Sequence, residues 1–411
     1  KHEVPIVLDP VDCHAGAYRL SVVLDLLKTG DISLLRGNQS EIKAIYDALS
    51  PNNQADTSTT GKGVDGVQVE DSAVMTYRLA RLINCPVVAT GEEDYVSDGT
   101  RVFAVPHGHP IMMAVTGTGC LLGAVLAAFF SAYQPCKNTL SIGEFLAYAL
   151  AYYGLAGESA VQVSGVKPGS FGVAFMDSLY TLDDTMLVSE NRIRPIVVPD
   201  QLQVYFVCGT QDTGLNKKRL LEIVEEACRG GVTCFQFREK GDGTLEGQQK
   251  LELAQQLQHI CAKYYVLFIV NDDVELAVAV NADGVHVGQD DMRLEDVRHL
   301  VGHKVVGISI HSVEELCKTD VVYADCVGVG PMYATSSKPD AQEPCGPERI
   351  SELQAKGLTL PCVGIGGITL DNTRVVLRAG ACGVAVISAI AHAEKPYEAT
   401  RQFKQLVSNS Q

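Results

Sequence analysis

Three polar residues alternate with apolar ones in the stretch "CFQFREK", residues 234 to 240. If this stretch forms a strand, Gln236, Arg238 and Lys240 lie on one face, because successive side chains of a strand point to opposite faces. An amide and two cations side by side suit a ligand that carries several negative charges. A solvated edge strand is the alternative interpretation of the same pattern.

Carboxylates and an amide follow the next two apolar runs. "VLFIV" leads into Asn271, Asp272 and Asp273, and "GVHVGQDD" ends in Asp290 and Asp291. These carboxylates could form structural salt bridges with the two cations. A magnesium ion held by one or two of them and by a pyrophosphate fits the mixture of charges better.

A long segment rich in Gly, Ser and Pro, "GVGPMYATSSKPDAQEPCG", carries Thr335, Ser337 and Lys338. Loops of this length in compact domains are usually functional or disordered. The later runs "GIGGI" and "VISAI" supply Gly366, Gly367 and backbone amides that could form a phosphate-binding cup. The alternative is that the two glycines only serve a tight turn.

Eight strand-like runs must position these residues. After residue 201, short apolar runs alternate with helical segments such as "LNKKRLLEIVEEACRGG", which gives eight β/α units. This number predicts a TIM (β/α)8 barrel within an α/β protein, and a doubly wound sheet is the competing architecture. The polar residues at the carboxyl ends of the runs favour the barrel, because active sites of barrels lie at that end.

Seven stretches between residues 201 and 411 resemble, in the same order, motifs of the thiamine phosphate synthase family: "QFREK", "NDD", "GVHVGQDD", "GISIH", "GVGPMYATSSKPD", "GIGGI" and "GVAVISAI". That family joins hydroxymethylpyrimidine pyrophosphate to thiazole phosphate. The resemblance implies that the pyrimidine pyrophosphate is bound by Gln236, Arg238, Lys240, Asn271, Ser309 and Lys338, with the three cations as catalytic groups. It implies magnesium at Asp272 and Asp291, and thiazole phosphate at Thr335, Ser337, Gly367, Ile387 and Ser388.

The N-terminal part of the chain contains a second set of chemical groups. "VPIVLDPV" predicts a strand that ends at Asp9, and "DISLLRGNQSEI" predicts a strand followed by Asn38 and Glu41 on one side of a helix's first turn. "VTGTGCLLGAVLAAFF" places Cys120 at the start of an apolar helix, where free N–H groups can neutralise a transferring phosphoryl group. An ordinary helix start with a buried thiol is the alternative.

These motifs resemble the hydroxyethylthiazole kinase family, which has a ribokinase-like fold, over residues 1 to 185: "LDPV", "RGNQSE", "GKGVD", "VATGEEDYVSDG" and "TGTGC". The resemblance implies that Arg36, Thr90, Asn38 and Glu41 contact ATP. It implies that Asp9, Asn38 and Glu41 organise magnesium. It also implies that Cys120 occupies the position where relatives carry an aspartate base. One departure from the family is "DPVDCHAGAYR", which has Asp12, Cys13 and His14 where small residues are usual.

Composition sets the remaining expectations. A net charge of −16 argues against non-specific binding of nucleic acid or of an anionic membrane, and no apolar run reaches the length of a membrane span. The 13 cysteines include no CxxC pair, which suggests a reducing compartment. We therefore expect small-molecule substrates, a homo-oligomer, and a location in the cytoplasm, or in an organelle if a transit peptide is missing.

Periodicity lapses around "SENRIRPIVVPDQ", which predicts a kinase-like domain at residues 1–190, a linker at 191–200 and the barrel at 201–411. The strand-like run directly after Lys1 indicates a fragment of a longer protein, so the ribokinase-like domain is expected to be truncated. The leading hypothesis is a bifunctional enzyme of thiamine biosynthesis that uses ATP and magnesium. The alternatives are a synthase with a non-catalytic N-terminal scaffold, or a phosphate-binding barrel of another pathway.

Overall fold

A computed structural model describes residues 4–50, 69–134, 140–335, 337 and 342–410. The chain divides into two compact units, Lys1–Ile196 and Val197–Gln411. Each unit has its own buried core. None of the helices in the described ranges is both long enough and apolar enough to cross a membrane.

The N-terminal unit contains a six-stranded sheet in sequential order. Its strands are β1 Val7–Leu8, β2 Leu34–Asn38, β3 Val87–Thr90, β4 Asp94–Ser97, β5 Val102–Val105 and β6 Arg194–Ile196. The first three strands are parallel, whereas β3 to β6 pair antiparallel. The carboxyl ends of β1, β2 and β3 therefore meet at one edge, where the polar residues that follow them come together.

Seven helices accompany the described part of this sheet: α1 Ala17–Lys28, α2 Gln39–Leu49, α3 Val69–Ile83, α4 Thr118–Ala132, α5 Ile142–Ser164, α6 Pro168–Thr181 and α7 Asp184–Ser189. Helix α5 is the most deeply buried, because small residues such as Ala147, Ala151 and Gly154 let neighbouring elements approach closely. The α/β class predicted for this unit is confirmed.

The predicted linker at 191–200 contains regular structure. Strand β6 pairs with β5, and Pro195 lies opposite Phe103 at the edge of the sheet. Proline lacks a backbone N–H and is therefore confined largely to edge strands. Two prolines near a three-residue strand produced the lapse in periodicity that predicted a linker.

The C-terminal unit is a closed barrel of eight parallel strands, as predicted, and not a doubly wound sheet. The strands are β7 Val204–Cys208, β8 Cys234–Phe237, β9 Leu267–Asn271, β10 Gly284–Val287, β11 Val305–Ile310, β12 Cys326–Val329, β13 Cys362–Ile365 and β14 Gly383–Val386. Strand β14 pairs with β7 and closes the ring.

Helices cover the outside of the barrel: α8 Lys217–Gly230, α9 Gly247–Lys263, α10 Val274–Ala279, α11 Leu294–Val301, α12 Val313–Lys318, α13 Glu348–Ala355, α14 Thr373–Arg378, α15 Ser388–Ala391 and α16 Pro396–Ser408. Strand side chains alternate between two cores. Phe235 and Phe237 pack outward with helix residues such as Leu220, while Cys234 and Ile269 fill the interior. This alternation turns Gln236 and Arg238 inward.

Candidate functional site

A cavity opens at the carboxyl-terminal end of the barrel strands. Gln236 and Arg238 both line it, so the alternation in "CFQFREK" places the amide and one cation in the same space. Asn271 and Ser309 line it as well, from strands β9 and β11. The edge-strand alternative does not apply, because β8 pairs with a neighbour on each side.

Gln236 is almost fully buried, and its side chain makes a hydrogen bond to a neighbouring strand. Its amide nitrogen Nε2 donates to the hydroxyl of Tyr205 over 2.9 Å. Tyr205 also lines the cavity and is 3% exposed. Sequence reasoning missed Tyr205, because a tyrosine within the apolar run "QVYFVCG" resembles an ordinary core residue.

Lys240 lies past the end of strand β8, at the rim of the barrel and not among the cavity-lining residues. Its ammonium group donates to Asp272 over 2.9 Å. Burial raises the pKa of the Asp272 carboxyl, Lys240 lowers it, and the neighbouring Asp291 carboxylate raises it further. The two predicted magnesium ligands are thus close enough to influence each other, and a cation already balances part of their charge.

The adjacent aspartates at the end of strand β9 have different environments. Asp272 has a backbone φ of 61°, in the left-handed region, which directs its side chain toward Lys240 and Asp291. Asp273 caps helix α10 by accepting from the N–H of Leu276, and it pairs with Lys250 at 2.7 Å. Asp272 therefore belongs to the rim of the cavity, whereas Asp273 is part of the helix start.

His286 is a second cavity residue that sequence reasoning missed. Its Nε2 lies 3.0 Å from the hydroxyl oxygen of Ser309. A side-chain carbon at Gly307 would lie only 2.3 Å from the imidazole Nδ1, so glycine is needed where strand β11 passes the ring. His286 can thus fix the hydroxyl of Ser309 at the cavity wall.

The loop after strand β12 packs closely on the end of β13. Gly366 and Gly367 have φ values of 94° and 63°, and added side-chain carbons would lie 2.5 Å from the Cβ of Pro331 and 2.7 Å from the carbonyl of Ala334. This close approach gives both glycines a structural explanation, and both also line the cavity.

The remaining predicted barrel residues lie around the same opening. Thr335, Ser337, Ile387 and Ser388 all line the cavity. The hydroxyl of Thr335 accepts from the backbone N–H of Ser337 over 3.2 Å. Lys338 lies outside the described residues.

In the N-terminal unit, Arg36 connects the ends of three parallel strands. Its guanidinium donates to Asp9 over 3.1 Å and to the hydroxyl of Thr90 over 3.1 Å. A side-chain carbon at Gly119 would lie 3.4 Å from the same guanidinium, so the start of helix α4 is adjacent. Burial raises the pKa of Asp9, and Arg36 lowers it. Arg36, Thr90 and Asp9 are therefore neighbours.

Asn38 and Glu41 bond to each other's backbone at the start of helix α2. Asn38 Oδ1 accepts from the N–H of Glu41 over 2.9 Å, and Glu41 Oε2 accepts from the N–H of Asn38 over 2.7 Å. This is a capping box, which satisfies free donors of the helix terminus. The two side chains thus have a structural function whether or not they also contact a ligand.

Cys120 is exposed in the first turn of helix α4, and Gly117 before the helix has a φ of 97°. The helix start is held by Tyr153, whose hydroxyl donates to the carbonyl of Thr118 over 2.5 Å. The thiol is therefore not the buried packing group of the alternative interpretation.

Within the described ranges, Asp12, His14 and Glu41 have potential metal-ligand atoms that all lie within 4.8 Å of one another. Asp12 also pairs with Arg19 at 3.2 Å. Two of the three residues belong to the stretch noted above as unusual. The "GKGVD" motif lies outside the described residues.

The fold and the cavity together define a (β/α)8 barrel with amide, hydroxyl and cationic groups at its carboxyl-terminal mouth. Residues 204–390 match the family model for thiamine monophosphate synthase, and residues 1–185 match that of the hydroxyethylthiazole kinase family. The chain belongs to the thiamine-phosphate synthase family, and the part ahead of the barrel is similar to the hydroxyethylthiazole kinase family. Both predicted resemblances are confirmed.

Curated relatives match the barrel half. The chain is 52% identical to the thiamine-phosphate synthase of Geobacillus thermodenitrificans (strain NG80-2), over 50% of this chain and 91% of that protein. It is 45% identical to that of Bacillus velezensis, over 53% of this chain and 96% of that protein.

Solved structures resemble each half. Thiamine phosphate pyrophosphorylase from Pyrococcus furiosus is 31% identical over 52% of this chain and 99% of that one, with a TM-score of 0.46. Hydroxyethylthiazole kinase from Pyrococcus horikoshii OT3 is 33% identical over 47% of this chain and 66% of that one, with a TM-score of 0.39.

Proposed function

We propose that the barrel joins hydroxymethylpyrimidine pyrophosphate to thiazole phosphate, and that the N-terminal unit makes thiazole phosphate from hydroxyethylthiazole and ATP. The observation that carries the proposal is the convergence of Gln236, Arg238, Asn271 and Ser309 on one cavity at the catalytic end of a barrel. Family membership of both units supports two consecutive steps on one chain.

The barrel reaction requires positioning and charge stabilisation more than a nucleophile. Loss of pyrophosphate leaves a pyrimidine-methyl cation that the thiazole nitrogen captures. Arg238 in the cavity, Lys240 at the rim and Lys338 in the long loop would stabilise the negative charge on the leaving group. Buried cysteines such as Cys234 and Cys326 have pKa values raised by burial, so they remain protonated and inert.

Magnesium fits the rim of this cavity. Asp272 and Asp291 are neighbouring carboxylates, the kind of oxygen donors that magnesium prefers. The pKa of Asp272 is raised mainly by burial and, to a smaller extent, by repulsion from Asp291. When bound, the ion would neutralise charge on the pyrophosphate. Lys240 pairs with the same carboxylate and would share that neutralisation.

Thiazole phosphate would bind in the same cavity, at the carboxyl ends of strands β12, β13 and β14. Thr335, Ser337 and Ser388 offer hydroxyl groups there, and the backbone at Gly367 and Ile387 offers amides. Hydroxyl and amide donors at the ends of the last two strands form the usual phosphate site of this barrel. The acceptor would then share one cavity with the groups bound at Gln236 and Arg238.

A non-catalytic N-terminal scaffold is the second candidate. The observation that favours it is that Asn38 and Glu41 cap helix α2 while Arg36 is engaged by Asp9 and Thr90. The kinase proposal instead uses Arg36 and Thr90 for ATP, Asp9, Asn38 and Glu41 for magnesium, and Cys120 as the base. Titration with ATP and magnesium separates the two, because a scaffold would bind no nucleotide.

The test of the barrel proposal is an assay with both ready-made precursors and magnesium. Thiamine phosphate and pyrophosphate should form in equal amounts, and removal of magnesium should abolish both. Failure to form either product with the intact chain would overturn the proposal.

The chain is further proposed to act as a homo-oligomer in the cytoplasm. The cysteines that the structure describes are all free thiols, which suits a reducing compartment. Sedimentation of the purified protein tests the oligomeric state, and a single species at the monomer mass would contradict it.

A further inference from the structure

Glu239 is a buried carboxylate between the two cations at the end of strand β8. The strand ends at Phe237, so Arg238, Glu239 and Lys240 lie beyond its regular pairing. Glu239 is 9% exposed and is not among the residues that line the cavity. The alternation of the strand places it on the side of Phe235 and Phe237, opposite to Arg238. Its carboxylate can therefore hold the backbone that carries both cations without contacting a ligand in the cavity.

Three donors from two other segments bind the carboxylate of Glu239. Oε2 accepts from the backbone N–H of Thr210 over 2.9 Å, and Oε1 accepts from the N–H of Leu245 over 2.9 Å. The hydroxyl of Thr210 also donates to Oε1. Thr210 follows strand β7, and Leu245 precedes helix α9. Because charge-assisted hydrogen bonds are among the strongest in proteins, Glu239 ties both segments firmly to the end of strand β8.

The turn after strand β7 also holds the backbone of Arg238. The N–H of Arg238 donates to the carbonyl of Cys208 over 3.1 Å, and its carbonyl accepts from Nε2 of Gln211 over 2.7 Å. A side-chain carbon at Gly209 would lie 1.9 Å from the same carbonyl oxygen, so glycine is needed for this approach. The backbone of Arg238 is thus fixed on both sides, and Glu239 is the next anchor along the chain.

Lys240 lies between that anchor and a turn. Gly241, directly after Lys240, has a φ of 126°, in the region that glycine adopts more readily than other residues. The ammonium group of Lys240 donates to Asp272 over 2.9 Å. Because a glycine turn by itself constrains the chain little, the bonds of Glu239 determine where the backbone of Lys240 begins its approach to the rim.

We propose that Glu239 is a positioning residue that holds Arg238 and Lys240 at the spacing required by the leaving pyrophosphate. It acts through those two cations, because an outward anchor at position 239 directs the side chains on either side of it to the mouth of the barrel. Loss of the anchor would leave both cations present but displaced, and displacement of a binding group weakens its contacts. The inference rests on the proposed synthase function.

The experiment measures the binding of inorganic pyrophosphate with magnesium by calorimetry, and the steady-state kinetics with both precursors. Glu239→Gln keeps the side-chain shape but replaces one acceptor oxygen with an NH2 group, so it cannot accept from both backbone N–H groups. We expect the Kd for pyrophosphate and the KM for the pyrimidine pyrophosphate to rise about tenfold. The KM for thiazole phosphate should stay unchanged.

Thr210→Val provides a second variant in case Glu239→Gln does not fold. It keeps the shape of the side chain and removes only the hydroxyl that donates to Glu239. The Kd for pyrophosphate should rise about threefold, as expected for one lost hydrogen bond. Thr210→Ser retains the hydroxyl and should restore the parent affinity.

Asp325→Asn is the matched control for a loss of stability. Asp325 is also a largely buried carboxylate that accepts from a backbone N–H, that of Val306 over 2.8 Å, and it pairs with Arg298. It precedes strand β12 and therefore lies at the opposite, amino-terminal end of the barrel strands. The variant should lower the melting temperature and leave the Kd for pyrophosphate unchanged.

The inference is overturned by an unchanged affinity for pyrophosphate in a folded Glu239→Gln or Thr210→Val protein, or by an equal rise of both KM values. Equal weakening by Asp325→Asn would also overturn it, because the loss would then follow from stability alone. Failure of the proposed function is a different result, in which the unaltered protein forms no thiamine phosphate from the two precursors.

Discussion

Arg238 lines the barrel cavity, because it directly follows strand β8 and continues the inward-facing register of Gln236. Arg238→Ala should cost about 2–4 kcal/mol of transition-state stabilisation, since a charge-assisted contact to the leaving group is lost. The measurement is kcat/KM with both precursors. Arg293→Ala is the control, because Arg293 is exposed and pairs with Asp296 outside the cavity. Synthesis at the parent rate would show that Arg238 does not contact the substrate.

The aspartates at the rim provide a second test at this scale. Asp272→Asn and Asp291→Asn keep the side-chain shape but remove a charge from the magnesium site, so the magnesium concentration for half-maximal rate should rise at least about tenfold. Asp273→Asn should not change it, because Asp273 caps helix α10 and pairs with Lys250. An unaltered magnesium requirement in both rim variants would place the ion elsewhere.

Cys120 is the residue on which the kinase proposal depends most. A carboxylate accepts a proton near neutral pH more readily than an ordinary thiol, so Cys120→Asp should retain or increase phosphorylation of hydroxyethylthiazole. Cys120→Ala should lose most of it. The synthase reaction with ready-made thiazole phosphate serves as the internal control and should not respond to either change. Full phosphorylation by Cys120→Ala would refute the role of the thiol as base.

The sequence patterns predicted where the functional region lies better than they predicted the function of each residue in it. The motif "NDD" marked the end of strand β9, but only backbone geometry separates Asp272 at the rim from Asp273 in the helix cap. Tyr205 and His286 gave no signal, because a polar aromatic residue inside an apolar strand is usually part of the core. Their partners come from other strands, so their function depends on the closed barrel.

At the scale of elements, the capping box at the start of helix α2 is a local feature of the N-terminal unit that a single substitution can test. Asn38→Ala removes the side-chain acceptor at the start of α2 and should cost about 1 kcal/mol of unfolding free energy. Asn38→Asp retains an acceptor and should cost much less. Denaturant unfolding followed by circular dichroism measures both. Equal stability of Asn38→Ala and the parent would mean that the cap does not stabilise this unit.

The elements of the two units were predictable to different degrees. All eight barrel strands lie within the short runs identified from sequence, because each strand is buried and its run is predominantly apolar, even where a polar residue such as Gln236 or His286 faces the barrel interior. In the N-terminal unit, strands β4, β5 and β6 were not foreseen, and β1 covers only Val7–Leu8 of a longer apolar stretch. Antiparallel strands of three or four residues are too short to establish a period.

At the scale of the whole molecule, the charge and the substrates have the same sign. The net charge is −16, and the proposed phosphorylated substrates are also anions, so their binding depends on local cations such as Arg238 and Arg36. Length and composition predicted two domains and small-molecule chemistry. They could not predict the cavity, because it is formed by residues from strands that are far apart in sequence.

The central claim is that one chain performs two consecutive reactions. The most direct measurement supplies free hydroxyethylthiazole, ATP, magnesium and hydroxymethylpyrimidine pyrophosphate, and follows thiamine phosphate. We predict that thiamine phosphate forms, that omission of ATP abolishes it, and that added thiazole phosphate restores it without ATP. Formation of product only from ready-made thiazole phosphate would contradict the claim and leave the N-terminal unit as a scaffold.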